Sequence, residues 1–193
     1  MKSLTLLSPC GILGYGFPDA SFAYGLSQKP EAIVVDAGST DAGPHKLGAK
    51  TAIVSRMAAK KDLQRIILGG WSLKVPVIIG SAGGSGGESH VRWTMDIIEE
   101  ILAEHTSCTP KIAIIWADIP NQAILDSLSK GKVQPLDASS LPLDEQILKQ
   151  TTGVVAQMGL EPILDVLEAK ADIIVCGRAY DPAPFAAVGV FHG

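Results

Sequence analysis

VPVIIGSAGGSGGESHVRWTMDII, residues 75–98, decides the fold. It opens on a short apolar, β-branched run and passes through a loop carrying Gly80, Gly83, Gly84, Gly86 and Gly87. It then enters an amphipathic pattern with Trp93, Ile97, Ile98, Ile101 and Leu102 on one face and Arg92, Glu99, Glu100 and Glu104 elsewhere. That order predicts strand, glycine-rich loop and a helix over Val91–His105. Working outward, similar short runs recur at Leu4–Leu7, Ala32–Val35, Ile112–Trp116 and Asp172–Cys176. They are continuous rather than alternating, as expected of strands buried on both faces of a parallel sheet. Helical patterns fall between them, at Lys50–Leu68, Ile119–Ser129 and Glu161–Ala169. The predicted class is therefore α/β: a mostly parallel sheet flanked by helices, doubly wound and Rossmann-like. Between Gly131 and Gly159 the sequence predicts short strands at Val133–Leu136 and Val154–Gln157, with a helix starting near Asp144.

Composition bounds the possibilities. The 193 residues carry Lys+Arg 16 against Asp+Glu 20, a formal charge of −4, with 47% hydrophobic and 19% charged residues. This is a globular composition, long enough for one well-cored domain over residues 1–193. The absence of a basic cluster argues against nucleic acid, and no apolar run approaches the roughly 20 residues of a membrane helix. Cys10, Cys108 and Cys176 are too widely spaced for a zinc pattern and are odd in number, which points to a reducing, cytoplasmic compartment. After the last strand only GRAYDPAPFAAVGVFHG remains. The expectation is a domain incomplete at its C-terminus, the first part of a longer one. Ala186–Phe191 would then be poorly covered, and a homo-oligomer would bury that face.

In a parallel α/β sheet ligands bind beyond the carboxyl ends of the strands, so the residues just after each strand are the candidates. After the first strand, Gly11, Gly14 and Gly16 form either a tight turn or a ligand loop, with Cys10 at the strand end. After the second comes VVDAGSTDAGPHKLG, which packs Asp36, Ser39, Thr40, Asp41 and His45 into one short loop. Neighbouring carboxylates push each other's pKa values apart, so Asp36, Asp41 and His45 are candidate acid/base groups, and Ser39 and Thr40 candidate substrate contacts. The alternative is a loop whose polar side chains satisfy their own backbone. After the third strand, Ser81, Gly83, Gly84, Ser85, Gly86 and Gly87 form a candidate anion-binding loop without the Lys of a P-loop. Glu88 and His90 stand at its exit as candidate acid/base groups, or as parts of a helix start capped by Ser89. Asp118, after the fourth strand, either caps the next helix or reaches the site. After the last strand Arg178 either clamps a carboxylate or pairs with Asp181 across the turn. The glycine spacing fits no dinucleotide fingerprint, which disfavours a nicotinamide-dependent dehydrogenase. Metal binding stays open.

Together, DAGSTDAGPHKLG, IIGSAGGSGGESH and ADIIVCGRAYDPAPF resemble the N-terminal domain of the acyclic terpene utilisation (AtuA-like) family. The resemblance implies a chain that continues past this point, often to a small ferredoxin-like domain, and a role in the catabolism of branched acids, often as coenzyme A thioesters. On that footing the expected function is a lyase or hydratase acting on a small branched carboxylic acid or its coenzyme A thioester. The cofactor is unknown: the sequence requires none, and the substrate can itself carry coenzyme A. The runner-up is a noncatalytic ligand-binding or partner subunit, for which the short C-terminal cover speaks. Asp41→Asn is expected to lower turnover by roughly two orders of magnitude or more while leaving the melting temperature unchanged, since the amide keeps the shape but not the proton acceptor.

Overall fold

The computed structural model describes residues 3–38 and 43–193. Its elements run β1 (Leu6–Leu7), α1 (Asp19–Ser27), β2 (Ala32–Asp36), α2 (Gly43–Ala49), α3 (Arg56–Leu73), β3 (Val77–Gly80), α4 (Glu88–Glu104), β4 (Ile112–Ile115), α5 (Asn121–Ser129), α6 (Glu145–Gln150), α7 (Glu161–Glu168), β5 (Ile173–Cys176) and α8 (Ala183–His192). The five strands form one all-parallel sheet in the order β1-β2-β3-β5-β4. This is the expected α/β, doubly wound architecture.

Strand alternation divides the core in two. Ile33 and Val35, Val77 and Ile79, Ile173 and Val175 face one side, where they cluster with Leu63, Ile66 and Ile67 of α3 and Ile97, Ile98 and Ile101 of α4. Ala32, Val34, Ile78, Ile174 and Cys176 face the other, where they cluster with Ile163 and Leu167 of α7 and Ala187 and Val188 of α8. Burial on both faces is why the strands read as unbroken apolar runs. The connections out of β2 and β3 turn to the first face and the connection out of β5 turns to the second. The topological switch point therefore lies between the neighbours β3 and β5.

Several expectations need correction. The helix expected over Lys50–Leu68 starts later and runs further, as α3. α2 ends before it at Ala49, Lys50 turns left-handed (φ 55°), and Ser55 starts α3 as an N-cap whose side chain accepts from the Ala58 N–H. α4 begins three residues before Val91, with Gly87 rather than Ser89 as its N-cap. No strand forms at Val133–Leu136, where Leu136 is 97% exposed. The Val154–Gln157 strand is reduced to a bridge between Val155 and Asp118. The C-terminal cover is better than expected. α8 packs on the sheet with Ala187 and Val188 fully buried, while Ala186 and the end from Gly189 to His192 are exposed.

Ile78 sits fully buried on a central strand beneath the α8 face. Ile78→Ala is expected to cost about 2–5 kcal/mol in urea unfolding. Leu136→Ala should change stability by no more than about 0.5 kcal/mol.

Candidate functional site

Parallel polarity carries the loops after β2, β3 and β5 to one edge of the sheet, and adjacency makes them touch. The junction is built on Ser81, which is fully buried and left-handed (φ 49°). Its hydroxyl accepts from the Ala179 N–H at 3.1 Å and donates to the Ala179 carbonyl at 3.2 Å. The Arg178 guanidinium donates to the same oxygen at 3.5 Å. Beside it the Arg178 N–H donates to the Gly86 carbonyl at 3.1 Å.

The glycines of this loop are packed against protein. A Cβ on Gly86 (φ 68°) would stand 2.1 Å from the Arg178 nitrogen. One on Gly83 would meet His90, and one on Gly84 would meet Ile53. Ser85 is buried and donates to the Gly43 carbonyl at 3.0 Å, tying the loop to the start of α2.

Asp36 closes β2. Its Oδ1 accepts from the Gly38 N–H at 2.8 Å. Asp36 and Arg178 flank Gly38: a Cβ there would stand 2.9 Å from Arg178 Nη1 and 3.0 Å from Asp36 Oδ1. Burial, followed by the negative charge of Asp181, raises the Asp36 pKa above the ordinary carboxylate value, although the Gly38 N–H and the Arg178 cation pull the other way. Arg178 is itself largely buried and reaches Asp181 Oδ1 only at 3.5 Å. Both contacts of its guanidinium are long, so the fork has donors to offer.

Two clefts open along this edge. One, of about 280 Å³, is lined by Pro44, Leu47, Ser85, Val155, Gln157 and Arg178. The other, of about 330 Å³ across Leu47, is polar and lined by Lys50, Glu88, Ser89, Arg92, Asp118 and Thr152. Their outer wall is a segment the sequence did not single out as part of the site. The Ala156 N–H donates to the Ala117 carbonyl at 2.8 Å, the Met158 N–H to the Arg178 carbonyl at 3.0 Å, and the Tyr180 N–H to the Met158 carbonyl at 2.9 Å. Residues 154–158 thus lace the ends of β4 and β5 together.

The expected site residues part company here. Asp36, Ser81, Gly86, Arg178 and Asp181 come together at the switch point. Glu88 pairs with Arg92 at 2.6 Å on the wall of the polar cleft. Asp118 lines the same cleft and caps nothing; the α5 N-cap is Pro120. His90 is buried, with Nε2 3.1 Å from the Thr51 carbonyl and Nδ1 3.3 Å from Ser89 Oγ, so both ring nitrogens are engaged by protein. His45 lies exposed on α2. Ser39, Thr40 and Asp41 lie outside the described residues. No group of three or more His, Cys, Asp or Glu able to hold a metal occurs among the described residues.

The glycines after β1 are a tight turn. Gly14 (φ 97°) and Gly16 (φ 80°) donate their N–H groups to Asp62 Oδ2 of α3, both at 2.9 Å, and Asp62 is buried. Burial, and then the charge of Asp62, pushes the Cys10 thiol up to about 11, so it is not a thiolate nucleophile at neutral pH.

No helix among the described residues is long and apolar enough to cross a membrane. A family model described as acyclic terpene utilisation family protein AtuA matches residues 59–193, more than half of the chain. The match takes in the glycine-rich loop and the Gly177–Asp181 turn, while Asp36 and its loop precede it. No curated protein and no solved structure matches the chain.

Gly86→Ala is expected to lower the melting temperature sharply, because backbone stands where the new methyl must go. Gly11→Ala, which meets nothing within 4 Å, should leave it within a degree or two, a change of about 0.5 kcal/mol or less. Thermal unfolding of the two variants side by side checks the difference.

Proposed function

The chain belongs to the acyclic terpene utilisation family AtuA, whose description points to a role in acyclic terpene utilisation, and we propose that it is a lyase or hydratase. Its substrate is a small branched carboxylic acid or the coenzyme A thioester of one. The observation that carries this reading is that Asp36 and Arg178 stand on either side of Gly38 beside the switch point. This puts a carboxyl of raised pKa near a guanidinium with spare donors, and that guanidinium lines a water-accessible cleft.

Addition of water across a conjugated double bond needs three things: a base, an acid and a cation to hold the charge that develops on the carbonyl oxygen. Arg178 binds the carboxylate or the thioester carbonyl. The Asp36 carboxylate takes a proton from water as its oxygen bonds to the carbon β to the carbonyl. The electron pair of the double bond moves onto the enolate oxygen held by Arg178. Asp41, or His45 in the first turn of α2, then gives a proton to the α carbon. Dehydration is the reverse. A carboxyl whose pKa is raised above the ordinary value is a stronger proton acceptor once ionised, which suits this work. His90 has no part, since both its ring nitrogens are occupied.

The direct test is Asp36→Asn in the full chain, assayed on a panel of branched 2-enoyl thioesters and free acids by loss of the conjugated absorbance. The wild type should turn over at least one member of the panel, and Asp36→Asn should be slower by roughly two orders of magnitude or more. A wild type inert on the whole panel, or a variant as fast as the wild type, overturns the reading.

The same variant has a stability signature. A carboxyl whose folded pKa is raised contributes stability while protonated, and the contribution is lost as pH rises from the ordinary value of 3.8 through the folded one. Asp36→Asn is neutral at every pH and still accepts the Gly38 N–H. It should therefore melt higher than the wild type at pH 7, with the gap closing as pH falls toward 4. Differential scanning calorimetry over that range measures it.

A further inference from the structure

A cavity of about 400 Å³ lies at the opposite edge of the sheet, where β3 and β5 begin and α3 ends. We propose that it is a second binding site, for an amphiphilic monocarboxylate: a short saturated or branched hydrocarbon chain bearing one carboxylate, with the chain in the cavity and the head on Lys74.

The walls argue for the chain. Ile67, Val75, Val77 and Ile173 supply an apolar lining, with Trp71, 38% exposed, beside the opening. The volume lies within the range of sites that enclose small ligands. Cys108 adds to the apolar wall: burial, and then the charge of Asp172, raises its pKa, so the thiol stays neutral.

The charges argue for the head group. Lys74 is held at the rim in a left-handed conformation (φ 57°) as the C-cap of α3, so its backbone position is fixed. Its ammonium makes no ion pair with any described residue. The last carbonyls of α3 do not compete for the ligand's place. Those of Gly70 and Trp71 already accept backbone N–H groups from Val75 and Lys74, at 3.1 and 3.2 Å. The other charge on the lining, Asp172, is turned to the backbone: its Oδ2 accepts the Lys111 N–H at 2.7 Å. With Asp172 held on the backbone, Lys74 is the head-group position, and the complement of a cation at the mouth of an apolar cavity is an anion on an apolar tail.

This site does not rest on the reaction proposed at the other edge, and its test keeps the two apart. Octanoate, octylammonium and acetate are titrated by calorimetry into the full wild-type chain and into Lys74→Gln, Val75→Phe and Arg178→Ala variants that melt normally. The expected result is saturable binding of octanoate, with neither octylammonium nor acetate binding measurably. Octanoate should bind about tenfold more weakly to Lys74→Gln, the loss of one charge-assisted contact. It should bind little or not at all to Val75→Phe, which fills the cavity, and with wild-type affinity to Arg178→Ala. Three results overturn the proposal: no saturable binding of octanoate; preference for octylammonium, which would assign the head to Asp172; or an affinity lowered by Arg178→Ala and unmoved by Lys74→Gln, which would place octanoate at the carboxyl edge.

Discussion

One buried hydroxyl holds the carboxyl edge of the sheet together. β3 and β5 are neighbours, yet their chains leave for opposite faces, so the two loops diverge from a common point. Ser81 Oγ spans that point, accepting one Ala179 group, donating to the other and receiving Arg178. A serine hydroxyl offers one donor and two acceptor positions, and all three are in use. The bond network then requires the loops to approach backbone to backbone, which is why Gly86 and Gly177 stand where any Cβ would meet main chain. Asp36, one strand over, inherits its environment from this junction, because the Arg178 beside Gly38 is the residue that Ser81 steadies.

The outline of this arrangement was legible in the sequence. Apolar runs of four or five residues bounded by glycine and polar loops mark the parallel strands, and parallel polarity alone brings the loops after Asp36, Gly80 and Cys176 to one edge. What could not be read is everything that depends on partners far along the chain. Nothing near Gly14 and Gly16 announces that their N–H groups are met by Asp62 of α3. Nothing near His90 announces the Thr51 carbonyl. Residues 154–158 were legible only as a vague strand, because a segment that makes single bridges on either side has no period to detect. The glycines of the loop were overread for the opposite reason. A glycine-rich loop before a helix suits an anion and suits a close approach of protein equally well, and only the position of Arg178 distinguishes the two uses.

Burial of Asp36 carries a stability cost that the fold offsets only in part. The Gly38 N–H and the Arg178 cation favour the charged carboxylate, while desolvation and Asp181 oppose it, and opposition wins. A carboxylate optimised for stability would have its partners close and its like charges distant. Here the cation makes its ion pair with Asp181, at 3.5 Å, rather than with Asp36, and that second carboxylate is retained nearby. That is the pattern of a group kept able to change its protonation state, and it is the kind of local disadvantage that functional sites carry.

The two edges of the sheet differ in chemistry for a reason rooted in chain direction. At the carboxyl edge three strands release their chains into loops that must turn and cross, so polar side chains, glycines and backbone donors accumulate there. At the amino edge the chain arrives from helix ends whose carbonyls are already capped, and short approaches lead straight into the strands. The space between them is filled by the same aliphatic residues that make the core: Ile67, Val77 and Ile173 belong both to the cavity lining and to the core beneath it. A cavity of this kind is an unclosed part of the core, and its contents are selected by solvation. Water gains little from walls that offer few partners, whereas a hydrocarbon chain gains what any buried side chain gains, about 25 cal/mol for each Å² removed from water. Lys74 then adds orientation, because its ammonium stands at the opening without an ion pair to a described residue while Asp172 is held by the Lys111 N–H.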